Sequence, residues 1–200
     1  MCADNGIVKE GISQSNKDVT LAVAKSMASG TSSIAVLCKS VNSKLMVFDM
    51  GIDSFDTEIY SLGVINHKLM HGTNNFIKEK AMPLDITLRA LLTGISIVRE
   101  LKDNNTKIIG TGEMGIGNTT TSSALSAAIL NNLPVEDVTG RGAGLDDIKL
   151  NKKIDTIKEG IEKYGFRDKL FLDSIKSENK SVRSLAVLDL LSSLGGLDIA

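Results

Sequence analysis

The sequence predicts an α/β fold: a three-layer, mostly parallel Rossmann-like sheet with helices on both faces, in one domain over residues 1–200. Three observations carry this. Short apolar runs alternate with helical stretches too long to be hairpin loops. Two glycine-rich turns, TGEMGIGNTTT (111–121) and TGRGAGLDD (139–147), each stand between a strand-like run and a helix-like one. A chain of 200 residues with 42% hydrophobic content is long enough for one well-buried core.

Along the chain, CADNG (2–6) reads as the end of a buried strand running into a turn, so the N-terminus is expected to be a cut edge of a longer protein. Ser15 with Asp18 makes a capping-box pattern ahead of Val19, Val23 and Met27 on one helical face, which Gly30 ends. SIAVLCKS (33–40) follows, and after Val41-Asn42-Ser43 the apolar run KLMVFDMGI (44–52) reads as a buried strand with an acid and a glycine at its C-terminal end. Residues 53–82, including NHKLMHGTNNF (66–76), lack a clear period and read as an extended loop. Pro83 then opens a long amphipathic helix with Leu88, Leu91, Ile95 and Val98 on one face.

TKIIG (106–110) predicts a short strand directly before the first glycine turn. Asn118 to Ser123 is a run of N-cap-type residues that continues as an alanine-rich helix. Residues 135–138 predict another short strand. Leu150, Ile154, Ile157 and Ile161 mark the buried face of the next helix, and a last helix over 182–194 stops at Gly195-Gly196.

Several function classes are disfavoured. The net charge of −1, with both signs interspersed, lacks the basic footprint of a nucleic-acid binder. Cys2 and Cys38 form no CxxC or Cys/His pattern, so reduced thiols and a cytoplasmic location are the expectation, with neither a disulfide framework nor zinc. No uninterrupted apolar run and no leader pattern point to a membrane or to secretion. His67 and His71 are four apart but lack a clustered acid, so no metal is expected there.

The glycine turns point to an anionic ligand. In a parallel sheet, ligands gather where strands end and helix N-termini present unpaired amides. Gly115, Gly117, Gly142 and Gly144 let backbone approach a phosphate or sugar, while Asn118, Thr119, Thr120 and Thr121 add donors. Glu113 would be repelled by phosphate unless it faces a sugar or a reacting base; capping a local amide is its other reading. Lys153 lies beside the buried face of its helix and suits a phosphate better than Lys152, although a snorkelling lysine fits the same position. Asp4, Asn5, Gly6 and Ser13 would line the cleft from the other side, or serve as turn residues. Gly110, Gly112 and Gly115 also match GxGxxG, leaving an NAD-type dinucleotide site or a non-catalytic ribose-phosphate module as alternatives.

GEMGIGNTTTSSAL (112–125) resembles the signature of the nicotinate-nucleotide:dimethylbenzimidazole phosphoribosyltransferase family. The resemblance extends through CADNGIVKEGIS (2–13), HGTNNF (71–76), TGRGAGLDD (139–147) and LGGLDIA (194–200), in the family's order. It implies transfer of a phosphoribosyl group from nicotinate mononucleotide to a benzimidazole nitrogen, without metal or cofactor, by a homodimer. Gly115, Gly142 and Lys153 would hold the ribose-phosphate, with Asn118 and Thr119 nearby. Glu113 would sit by the ribose and base, and Ser13 and Met114 would line the aromatic pocket. Related enzymes take adenine or phenolic acceptors, so the acceptor stays open. Asn5 stands where the family often has histidine. Members are longer at both ends, and the glutamate that the family uses as proton acceptor matches no residue here. The expectation is a fragment carrying much of the phosphate and ribose site.

Overall fold

A computed structural model describes residues 1–198 of the chain. Three short strands, β1 (Cys2–Ala3), β2 (Phe48–Gly51) and β3 (Ile65–Asn66), form a parallel sheet in the order β1-β2-β3. The helices are α1 (Asp18–Ala28), α2 (Ser33–Ser40), α3 (Glu58–Ser61), α4 (Leu84–Asp103), α5 (Asn118–Ile129), α6 (Asp147–Lys163), α7 (Lys169–Ile175) and α8 (Lys180–Leu194). Single 3-10 turns cover Gly6–Glu10 and Val135–Val138.

Side chains alternate across a strand, and the two sheet faces bury different partners. Cys2 packs in a cluster with Ala24 of α1 and Ile59 of α3. Its neighbour Ala3 packs with Met50, Met82 and Ala90 of α4. Helices therefore cover both faces, giving the expected three layers. A separate, mostly helical cluster joins α5, α6 and α8 around Phe76, Ile157 and Leu194. Ala124, Ala127 and Ala128 of α5 are fully buried there, and their small side chains allow close helix approach.

Caps explain several boundaries. Asp146 Oδ1 accepts the Lys149 amide at 2.8 Å to start α6, and Asn179 Oδ1 accepts the Ser181 amide at 3.0 Å to start α8. The Ser15 capping box does not form: α1 begins at Asp18 after Lys17, with no side-chain cap. Ser15 instead donates its amide to Ser13 Oγ, 3.3 Å away, a local turn that competes with helix initiation. The inward positions of α1 are Thr20 and Ala24 rather than Val19 and Val23.

Two expected strands are absent. Residues 106–110 form none, and Ile108 is 89% exposed; β-branched composition without a neighbouring strand to pair with does not make a sheet. Residues 135–138 turn as a 3-10 helix after Pro134, with the Thr139 hydroxyl donating to the Val135 carbonyl at 2.7 Å. Within 53–82, α3 and β3 interrupt the expected loop. Within 18–40 an 18-residue window reaches mean hydropathy 1.3, but a turn at 29–32 divides the segment into α1 and α2.

Close packing between α6 and the Asn-rich loop is testable at Gly160, where an added Cβ would lie 2.7 Å from the fully buried Phe76 ring and 3.3 Å from Leu194. Gly160→Ala is expected to destabilise the fold by about 1–3 kcal/mol, read as a lower urea midpoint.

Candidate functional site

The first glycine motif adds itself to the sheet. Ala3 donates its amide to Met114 O at 3.1 Å, Met114 to Met1 O at 2.8 Å and Asn5 to Ile116 O at 3.3 Å, with Cys2 and Met114 paired in parallel. This pairing lies on the side of β1 away from β2. The chain thus winds from β1 to β3 in one direction and then returns to the other flank of β1. That reversal is a topological switch point, the place where ligands bind in open α/β sheets. The residues beside it are Asn5 after β1 and Gly115 to Asn118 after the added segment.

Gly115 is what permits the approach: a Cβ there would overlap Ala3 O. Gly117, at φ +92°, is the N-cap of α5, and a Cβ would meet Val8 at 2.7 Å and Asn5 at 3.1 Å. The expected strand-to-helix turn therefore exists, with the strand inside the motif instead of before it.

On the outer side, Glu113 is exposed, and both of its carboxylate oxygens accept from Asn118 Nδ2, Oε1 at 2.6 Å and Oε2 at 2.5 Å. Asn118 Oδ1 in turn accepts the Thr119 amide at 2.8 Å. Glu113 thus caps no backbone amide; Asn118 holds it beside the helix start. Lys153 arrives from α6 and is only 1% exposed. Its Nζ donates to Thr119 Oγ1 at 2.8 Å and to Gly140 O at 3.0 Å. Burial lowers its pKa, and no carboxylate pairs with it among the described residues. Gly142, at φ +54°, brings the second turn alongside: its missing Cβ would be 3.0 Å from Thr119 Oγ1 and 3.8 Å from Lys153 Nζ. Glu113, Gly115, Gly117, Asn118, Thr119, Gly142 and Lys153 are thus grouped by three pieces of chain distant in sequence.

The other expected site residues are placed differently. Asp4 is buried, with Oδ1 accepting Thr20 Oγ1 at 2.6 Å and Oδ2 accepting the Asp53 amide at 2.8 Å. Both oxygens tie the sheet end to its surroundings, one to α1 and one to the turn after β2. Desolvation is the largest influence on this carboxyl and raises its pKa. Met114 packs its side chain against the Cys2 cluster. Ser13 is half-buried in the loop whose Gln14 Nε2 donates to Gly144 O at 2.5 Å, which joins the N-terminal turn to the second glycine turn. Sequence reasoning gave no separate role to Thr20 or Asp198, or to the Gly140 carbonyl. Thr20 donates to Asp4 and also accepts the Ile116 amide at 3.1 Å. A threonine on the inward face of α1 was the available signal.

The GxGxxG alternative loses its structural context, since no strand precedes Gly110 and Gly112, and neither glycine has anything near its open Cβ position.

A family model described as "Phosphoribosyltransferase" matches residues 1–200. The chain belongs to this family. It is 40% identical over 200 residues to a nicotinate-nucleotide–dimethylbenzimidazole phosphoribosyltransferase of Clostridium acetobutylicum, and 40% identical over 201 residues to one of Acetivibrio thermocellus. All of this chain and 51% of each relative are covered. A crystal structure of CobT from Thermus thermophilus superposes with TM-score 0.81 at 27% identity, over 98% of this chain and 53% of that one. The chain spans about half the length of the curated relatives it matches. The LGGLDIA stretch is described through Asp198; Ile199 and Ala200 lie outside the described residues.

Removing the buried cation tests its electrostatic character. The folded pKa of Lys153 lies below its ordinary 10.5, so the unfolded chain holds its proton longer and this residue adds stability as pH rises toward that value. Lys153→Met is expected to remove that slope and to leave the pH 7 urea midpoint unchanged or higher, seen by subtracting variant from wild-type curves.

Proposed function

We propose that this chain is a phosphoribosyltransferase core, acting in transfer from nicotinate mononucleotide to 5,6-dimethylbenzimidazole or a related aromatic base. The products are α-ribazole 5′-phosphate and nicotinate, and the reaction belongs to assembly of the cobalamin lower ligand. The observation that carries this reading is the buried Lys153 ammonium without a counter-ion among the described residues, held beside the glycine-flanked start of α5 at the switch point. A phosphate monoester supplies the missing negative charge.

In the proposed pose, Lys153, the α5 N-terminus and the backbone of Gly115, Gly117, Gly142 and Gly144 hold the phosphate. Glu113, oriented by Asn118, faces the ribose, where its charge favours the electron-poor anomeric carbon of the transition state. A lone pair of the base nitrogen forms the new bond to C1′ as the bond to nicotinate breaks, and nicotinate leaves with that electron pair. The proton of the base must then go to a carboxylate or water. Glu113 is the carboxylate of the motif and has a supporting part in this step. We place Ser13 on the aromatic-base side; Asp4 and Met114, turned inward, shape the site from behind.

We further propose a single domain of a longer cytoplasmic protein that acts as a homodimer. Both cysteines are free, and α4 leaves Leu88, Leu92 and Ile95 exposed on an apolar face suited to cover by further chain.

Chromatography for α-ribazole phosphate, after incubation with nicotinate mononucleotide and dimethylbenzimidazole, tests the reading with the Clostridium acetobutylicum relative as positive control. Calorimetry with nicotinate mononucleotide is expected to show binding that weakens at least about tenfold in Lys153→Ala. In whichever form turns over, Glu113→Gln is expected to lower kcat about a hundredfold. Binding of NAD in place of the mononucleotide would favour the dinucleotide reading, and binding of ribose 5-phosphate without any turnover would favour a non-catalytic module.

A further inference from the structure

Behind the glycine motif lies an unexplained set of polar atoms. Asn5 Nδ2 and both carboxyl oxygens of Asp198 are buried with no hydrogen-bond partner among the described residues. Buried polar groups are ordinarily paired, so three orphans in one place call for a role. They face one another. The Cβ position that Gly115 leaves empty is 2.6 Å from Asp198 Oδ2 and 2.9 Å from Asn5 Nδ2. The orientation of Asn5 is set from its other end, because its Oδ1 accepts from Thr121 Oγ1 of α5 at 3.2 Å. Its amide nitrogen is thereby turned from α5 toward Asp198.

We propose that Asp198 is a positioning residue: its buried carboxyl holds the Asn5 amide against Gly115, and through Asn5 it fixes the start of α5 on which Asn118 and Glu113 depend. Asn5 is the link because its backbone also donates to Ile116 O, so one residue grips both the motif and the helix. The inference rests on the proposed function only for the ligand used in one arm of its test.

The charge state of Asp198 matters to the motif. Burial first, and then the nearby Glu113, push this carboxyl up to about 7. The groups facing it are Glu113, the Asn5 amide and the Met1 ammonium, and the Cys2 thiol also feels its charge. Neutral Asp198 sits beside Glu113 without repulsion. Once ionised, it repels both Glu113 and an arriving phosphate.

The test compares Asp198→Ala and Asp198→Asn with the wild-type chain. Amide hydrogen exchange needs no ligand: Asp198→Ala is expected to speed exchange at Asn118 and Thr121 about tenfold, because it removes the carboxyl packed beside Asn5 Nδ2 at Gly115, while the isosteric Asp198→Asn stays near wild type and α6 is unchanged in both. Calorimetry with nicotinate mononucleotide from pH 6 to 8 is the second arm. Wild-type affinity is expected to fall relative to Asp198→Asn as pH rises through 7. Wild-type exchange in both variants, or an equal pH profile in Asp198→Asn, would overturn the proposal. If Asp198→Ala fails to fold, the profile of Asp198→Asn decides alone. If no protein binds the mononucleotide yet Asp198→Ala loosens the start of α5, the proposed function fails and the positioning role stands.

Discussion

The close approach of Gly115 to β1 is the constraint on which the rest of this structure depends. Ala3 O occupies the space where any side chain at Gly115 would begin. Only with that space empty can the motif lie parallel to β1, place Gly117 at the N-cap of α5 and aim that helix start at the end of the sheet. A larger residue would push the motif outward by more than a backbone hydrogen bond can stretch. Site and sheet are in that sense one feature.

Electrostatics complete what the backbone arranges. A lysine taken out of water without a carboxylate is costly, and its hydroxyl and carbonyl partners offset part of that cost. A fold retains such a group most readily where an anion arrives to pair with it. The placement at α5 strengthens this, since Thr119 is shared between the lysine and the first helical turn, where the macrodipole is positive. Asn118 performs a second sharing, joining Glu113 to the same turn. Cation and carboxylate are thus held apart by intervening neutral side chains, so neither cancels the other.

Much of this was legible in the sequence. Helices with a start or stop signal, such as the one after Pro83 and the one before Gly195, were readable from those signals, but the apolar stripe of the first did not tell which face is inward: its buried positions are Thr87 and Ala90, while Leu88, Ile95 and Val98 stay exposed. The glycine turns before α5 and α6 were readable from their residue types, and the place of Lys153 beside the buried face of α6 from helical spacing; that Lys153 is itself buried was not. The failures share a cause: strand formation requires a partner that local composition does not reveal. Residues 106–110 have the right residue types and no neighbour, whereas Met114, between glycines, has poor local propensity and pairs with β1. The Ser15 pattern failed because Ser13 captured its amide. Asp4 read as a cleft residue, and its burial between Thr20 and the Asp53 amide came from the tertiary path of α1. Asp198 could not be weighed, since its neighbours are residues from the opposite end of the chain.

The apolar interior is divided into three separate clusters, two flanking the sheet and one among α5, α6 and α8. The switch point lies on the seam: β1 belongs to the sheet clusters, α5 to the helical one, and Asn5 with Thr121 bridges them. A molecule that grips both sides of that seam would act as a clasp between the sheet and the helical cluster. Occupancy would then be felt as cooperativity: a chain able to open in two stages when empty would open in one when filled.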